Sequence, residues 1–215
     1  MSDEFLTKNE ILTGFSKILD LQQKISDFVH RKLCGHFDDS TIEPKLTPEE
    51  WTEQRKKTFA YLRSMMDKYM FSKKLPRNGL GIMALAVIEY FIRIQHTLAQ
   101  VLVILDSLKD DSFSDIYRDS LTTISSKVNE QILTIKHMIE SIVSDPESVK
   151  TDLEHIIKLE RQIDEDNIVI CRQISVKTAG GDESDFSCYM MRKIVAELEH
   201  ISDYVKECAE IIADI

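Results

Sequence analysis

Glycine and proline are scarce in this chain, six and four in 215 residues, a composition that suits a helical protein far better than a sheet or a disordered chain. Cysteine is sparse too. Cys34, Cys171, Cys188 and Cys208 stand far apart with no C-x-x-C among them, so neither a disulfide framework nor a thiolate zinc site is indicated, and a reducing cytoplasm is the expected setting. Positive charge is in deficit. The formal net charge of −10 argues against a nucleic-acid surface, which needs clustered Lys and Arg to displace counterions, and favours cations or basic partners. The longest apolar run, Leu80 to Ile88, stops at Glu89, well short of the roughly 20 residues that span a bilayer. Met1-Ser2-Asp3-Glu4 is acidic where a secretory signal would carry positive charge. A soluble protein, peripheral to a membrane at most, is expected. No P-loop, Gly-rich dinucleotide turn, G-x-S-x-G or H-E-x-x-H occurs, so the motifs give no support for an enzyme.

Helix signals divide the sequence into six pieces. Asn9 to about Leu33 carries an apolar stripe at Ile11, Phe15, Ile18, Leu19, Ile25 and Phe28 and breaks at Cys34-Gly35-His36, a helix end more than half a metal site. Thr47-Pro48-Glu49-Glu50 is a capping box opening a second helix to about Ser72. The third, about Leu80 to Leu108, is apolar on most of its circumference and should be central. Ser112 and Asp115 open the fourth, to about Val143; Asp145-Pro146-Glu147 caps the fifth, to about Val176; the sixth runs from about Glu183 to Ala213. An all-α fold of two tandem three-helix bundles follows, because short connections favour antiparallel neighbours. The bundles would cover residues 1–110 and 111–215, side by side, with the boundary near Leu108 to Asp111.

Two segments on the fifth and sixth helices echo each other: Leu159-Glu160-Arg161-Gln162-Ile163-Asp164 and Leu198-Glu199-His200-Ile201-Ser202-Asp203. Each holds a glutamate and an aspartate four residues apart, which a helix stacks on one face. Like charges at that spacing need solvent or a counter-cation, and a metal ion held by carboxylate oxygens is one such cation. The apolar arc of the fifth helix encloses Glu160 and Asp164, where an unpaired carboxylate is costly. Glu199 and Asp203 lie on the flank of the sixth helix beside Lys206 and Glu210 and should face the bundle surface. Taken singly, E-x-x-x-D is an ordinary accident of an acidic helix. Two copies on consecutive antiparallel helices could set four acids around one point.

At these residues the chain resembles the PhoU family of phosphate-transport regulators, including PhoU-like proteins encoded beside phosphate permeases. The family carries an E/D-x-x-x-D pair on each of two neighbouring helices per bundle. Leu159 to Asp164 and Leu198 to Ile212 look like this motif in its usual surroundings; length and helix count match over nearly the whole chain, while the specific likeness is confined to about Thr151 to Ile212. The resemblance implies a non-catalytic regulator of phosphate uptake or phosphate signalling, whose partners are a phosphate transporter, its ATPase subunit, a sensor kinase, or a second copy in a homodimer. It also implies metal, divalent or ferric (iron, zinc, nickel or manganese), at Glu160, Asp164, Glu199 and Asp203.

The N-terminal half departs from the pattern. Leu62-Arg63-Ser64-Met65-Met66-Asp67 aligns with the first motif but places Arg63 at the glutamate, and the third helix carries the row Glu89, Arg93, His96, Gln100 with Arg93 where an acid belongs. Guanidinium groups cannot ligate a cation and repel it, so an ion-pair cluster of Arg63, Asp67, Glu89 and Arg93 is expected in place of a metal. Asp152-Leu153-Glu154-His155 and Glu197-Leu198-Glu199-His200 contain D-x-x-H and E-x-x-H, which admits a ferritin-like di-iron redox enzyme as an alternative; surface histidines are the plainer reading. A metal-free helical adaptor is the third. His96 is expected to be a hydrogen-bonded core histidine, and Met65, Met66, Met70, Met190 and Met191 to fill core gaps.

Overall fold

The computed structural model describes residues 5–34, 74–107, 115–180 and 185–215, together with six isolated positions between residues 35 and 73. The described residues form five helices and no strand: α1 (Lys8–Leu33), α2 (Gly79–Ser107), α3 (Asp115–Ser141), α4 (Pro146–Gly180) and α5 (Asp185–Ala213). The expected second helix, residues 47–72, falls mostly outside them; its described positions Glu53, Lys56, Ala60, Arg63, Ser64 and Asp67 are helical and exposed.

Local chemistry fixes the helix starts. Thr7 caps α1: its hydroxyl accepts from the Glu10 amide at 3.3 Å, and the Glu10 carboxylate accepts from the Thr7 amide at 2.8 Å, a reciprocal box two residues ahead of the expected start. Asn78 caps α2 through its side-chain oxygen, which accepts from Gly81 at 3.2 Å. Gly81 is required there, because a Cβ would lie 1.8 Å from the Pro76 carbonyl oxygen. At α4, the Asp145 carboxylate accepts from the Ser148 amide at 3.2 Å ahead of Pro146, as the sequence predicts.

Side-chain pairs set the directions. Phe15 meets Phe91 edge to face at 5.5 Å and Lys32 bonds Asp106, so α1 and α2 run parallel. Asp20 pairs with Lys136 and Asp27 with Asn129, both at 2.6 Å, so α3 runs antiparallel to α1. Lys127–Asp166 with His137–Asp152 set α4 antiparallel to α3, and Arg192–Ser175 with Lys206–Glu160 set α5 antiparallel to α4. Helices α3, α4 and α5 all touch one another, while α1 packs on α3 and α2 on α5. One apolar core, including Phe15, Phe91, Leu98, Ile132, Ile163 and Ile201, runs through all five.

By length and composition alone, α2 could cross a bilayer; the run ending at Glu89 understates it. Its buried residues pack against α1 and α5, the interior position expected from its apolar circumference. Core histidine is the wrong description of His96, which is exposed: it sits between the buried Gln95 and Thr97, and the helical turn carries it off the core face. Met191 is buried and Met190 half-buried, whereas Met65, Met66 and Met70 lie outside the described residues.

Candidate metal centre

The seam between α4 and α5 is built on leucines. Leu159 and Leu198 are buried and anchor the two echoed segments, and the antiparallel packing sets Glu160 opposite Asp203 and Lys206. Carboxylate oxygens of Glu160, Asp164 and Asp203 all lie within 4.8 Å of one another. Glu160 is 8% exposed, and Asp164 and Asp203 are half-buried. Lys206 points its ammonium into the group and donates to Glu160 Oε1.

Glu199 stands apart from the triad. It is half-buried, and its Oε2 accepts from the Asn167 amide, whose oxygen in turn accepts from the Cys171 thiol at 3.2 Å. Three of the four acids singled out by the sequence therefore converge, and the fourth is held by Asn167 on the facing helix. The expectation that Glu199 and Asp203 face the surface needs correction. Both belong to the α4–α5 seam, because α4 covers the flank that a helical wheel of α5 alone leaves open.

Three of these acids are harder to ionise than an ordinary carboxyl. Burial raises Asp164, with the Glu160 charge adding to it and Lys206 opposing. Burial also raises Glu199, reinforced by Asp164 and Asp203 and opposed by His200. Asp203 is raised by burial first, against the pull of Lys206 and with the push of Asp164, Glu160 and Glu207. Lys206 is raised chiefly by its bond to Glu160. Glu160, Asp164 and Asp203 thus share one ammonium in a partly desolvated seam. A seam of hard oxygen donors at this spacing fits a metal ion, which prefers carboxylate oxygen and returns the charge that burial withholds. The sequence showed Lys206 beside the acids, but its role as their internal counter-cation emerges only when α4 faces α5.

The N-terminal row behaves differently. Arg93 pairs with Glu89 at 2.6 Å along α2, and its guanidinium lies 5.5 Å from the Tyr90 ring centroid and 5.7 Å from that of Tyr204. Arg63 and Asp67 are exposed, and among the described residues no ion pair links them to Glu89 or Arg93. The pairing along one helix is found; the four-residue cluster is not. Nor do the two histidine motifs share a seam. Asp152 and His155 face α3 through His137 and Glu130, whereas Glu197 pairs with His200, whose ring stacks on Tyr204 beside Tyr90 of α2.

No protein-family model matches this chain, and no curated protein matches it.

Proposed function

We propose that the protein is a non-catalytic, metal-binding helical regulator acting in phosphate uptake or phosphate signalling through protein–protein contacts, in the manner implied by its resemblance to PhoU-like proteins. The observation that carries the metal reading is the meeting of Glu160 and Asp164 from α4 with Asp203 from α5, oxygens within 4.8 Å. An ion there neutralises the acids and pins α4 to α5; Glu199 lies on the same seam, its Oε2 held by Asn167. Iron, manganese, zinc and nickel are all compatible with such donors.

Two tandem three-helix bundles are part of this proposal. Mutual contact among α3, α4 and α5 supports the C-terminal one. The parallel course of α1 and α2 supports the N-terminal one, because first and third helices of an up-down-up triplet run parallel. The partners proposed are a phosphate transporter, its ATPase subunit or a sensor kinase, met at the cytoplasmic face of a membrane or in the cytoplasm, with a homodimer as the assembled form.

The test is metal content and binding in protein purified without a histidine tag, comparing the wild type with a Glu160→Gln/Asp203→Asn double variant. Loss of bound iron, manganese or zinc in the variant, with helicity retained, supports the site. Unchanged metal content sinks it. The regulatory reading is tested separately, by deleting the protein in its host and measuring phosphate uptake; uptake that does not respond to the deletion under phosphate-rich or phosphate-poor growth rejects it. The di-iron alternative is weakened by the separate seams of its two motifs, and oxygen consumption with ferrous iron would revive it.

A further inference from the structure

A second seam, between α3 and α4, holds a different kind of donor. His137 Nδ1 lies 2.7 Å from Asp152 Oδ2, and His155 Nε2 lies 2.8 Å from Glu130 Oε1. All four side chains line one open groove of about 400 Å³. Helical spacing puts them there: Glu130 and His137 are seven residues apart on α3, and Asp152 and His155 three apart on α4, so each helix contributes both of its groups from a single face.

Each imidazole is tied at one nitrogen to a carboxylate. The other nitrogens, Nε2 of His137 and Nδ1 of His155, have no hydrogen bond among the described residues. A carboxylate on the far nitrogen is the arrangement that fixes the ring of a metal-ligating histidine and raises its basicity. Imidazole nitrogen suits zinc, nickel and copper, in contrast to the all-oxygen preference of magnesium or calcium. We propose that this groove is a second metal site, specific for a borderline divalent transition ion such as zinc, bound by His137 and His155 with Asp152 and Glu130 orienting them and water completing the shell.

The two pairs stand separately in the structure, and binding requires the rings to turn toward each other. Their exposure permits it: the side chains of His137 and His155 are 60% and 41% exposed. Asp152, 16% exposed, is the fixed element of the groove. The site is independent of the acid triad, because it uses nitrogen donors on the opposite partner of α4. Occupied, it would clamp α3 to α4 as the triad would clamp α4 to α5.

The experiment is a zinc titration of the tag-free full chain by calorimetry, paired with thermal unfolding at each zinc level, since an ion bound only by the folded state raises Tm by mass action. The variants are His137→Gln/His155→Gln, His155→Gln alone, Asp152→Asn and Glu160→Gln/Asp203→Asn. The double histidine variant is expected to lose one zinc equivalent and its share of the Tm rise. Asp152→Asn should weaken that equivalent about 10-fold, as loss of an orienting carboxylate does, and the acid variant should retain it. A zinc stoichiometry that is unchanged by loss of both histidines, or a wild type whose only zinc disappears with Glu160 and Asp203, overturns the proposal. Equal Tm losses with and without zinc in the histidine variants overturn it as well, leaving two ordinary interhelical contacts.

Discussion

The ammonium of Lys206, on α5, bonds the carboxylate of Glu160, on α4, inside a group that also contains Asp164 and Asp203. A lysine in that position is the protein's own answer to the clustered charge. It makes the seam self-consistent without an ion, and a metal entering the triad competes with it for Glu160.

Removing one partner of a buried ion pair costs about 3–5 kcal/mol when both are fully enclosed. With Lys206 26% exposed and Glu160 10% exposed in their side chains, Lys206→Met should cost less, about 2 kcal/mol. At about 2–4 °C per kcal/mol for a chain of this size, the melting temperature should fall roughly 4–8 °C. Adding Glu160→Gln to Lys206→Met should recover part of the loss, because the stranded carboxylate is then neutral. A double variant no more stable than Lys206→Met alone would show that the pair is not what the lysine stabilises.

The raised acids give the seam a pH dependence of definite sign. Asp164, Glu199 and Asp203 titrate above their usual values of 3.8, 4.5 and 3.8, so the folded state binds more protons than the unfolded state between the ordinary and the raised value. Stability from these groups therefore falls as pH rises through that window and stays low above it. Asp164→Asn should be more stable than the wild type at neutral pH without metal, with the advantage fading below the ordinary carboxylate range. Lys206 gives a slope of the same sign at much higher pH: its raised value keeps its stabilisation present below 10.5 and removes it only in stronger alkali. Thermal melts of both proteins from pH 4 to 8, in chelator, measure the difference; a wild type that outlasts Asp164→Asn at pH 7.5 would contradict the reading.

Gly81→Ala tests the turn that launches α2. The added carbon meets the Pro76 carbonyl oxygen at 1.8 Å, a contact that backbone must move to relieve, so the loss should reach about 1–3 kcal/mol, the range of an overpacked site. Gly79 has nothing within 4 Å of its virtual Cβ, and Gly79→Ala is the matched control with little effect. Equal melting temperatures for the two variants would remove the steric argument.

Thiol labelling of the native chain offers a further structural check. Cys208 is fully buried and its thiol is pushed well above the ordinary range by burial, and Cys188 is also buried; Cys34 and Cys171 are half-buried. A maleimide should modify the latter two first and reach Cys208 only on unfolding. Early labelling of Cys208 would mean that the α5 core face is open.

The chain's own order of residues was enough to settle its class and most of its helix limits. Sparse glycine and proline, the apolar stripes of α1 and α5 and the Asp145-Pro146 start of α4 are local signals, and caps and periodicity act within a few residues of where they are written. Thr7 and Glu10 formed a readable box as well, two residues ahead of the expected start. The repeated acids were equally legible as pairs on single helices. Which face of α5 is covered was not: Glu199 and Asp203 looked like surface groups on one wheel and became seam groups once α4 lay against them. The same packing delivered Asn167 to Glu199 and Lys206 to Glu160. Contacts between distant segments depend on rotation and register of whole helices, quantities fixed by the summed fit of a shared core and by no short stretch of sequence.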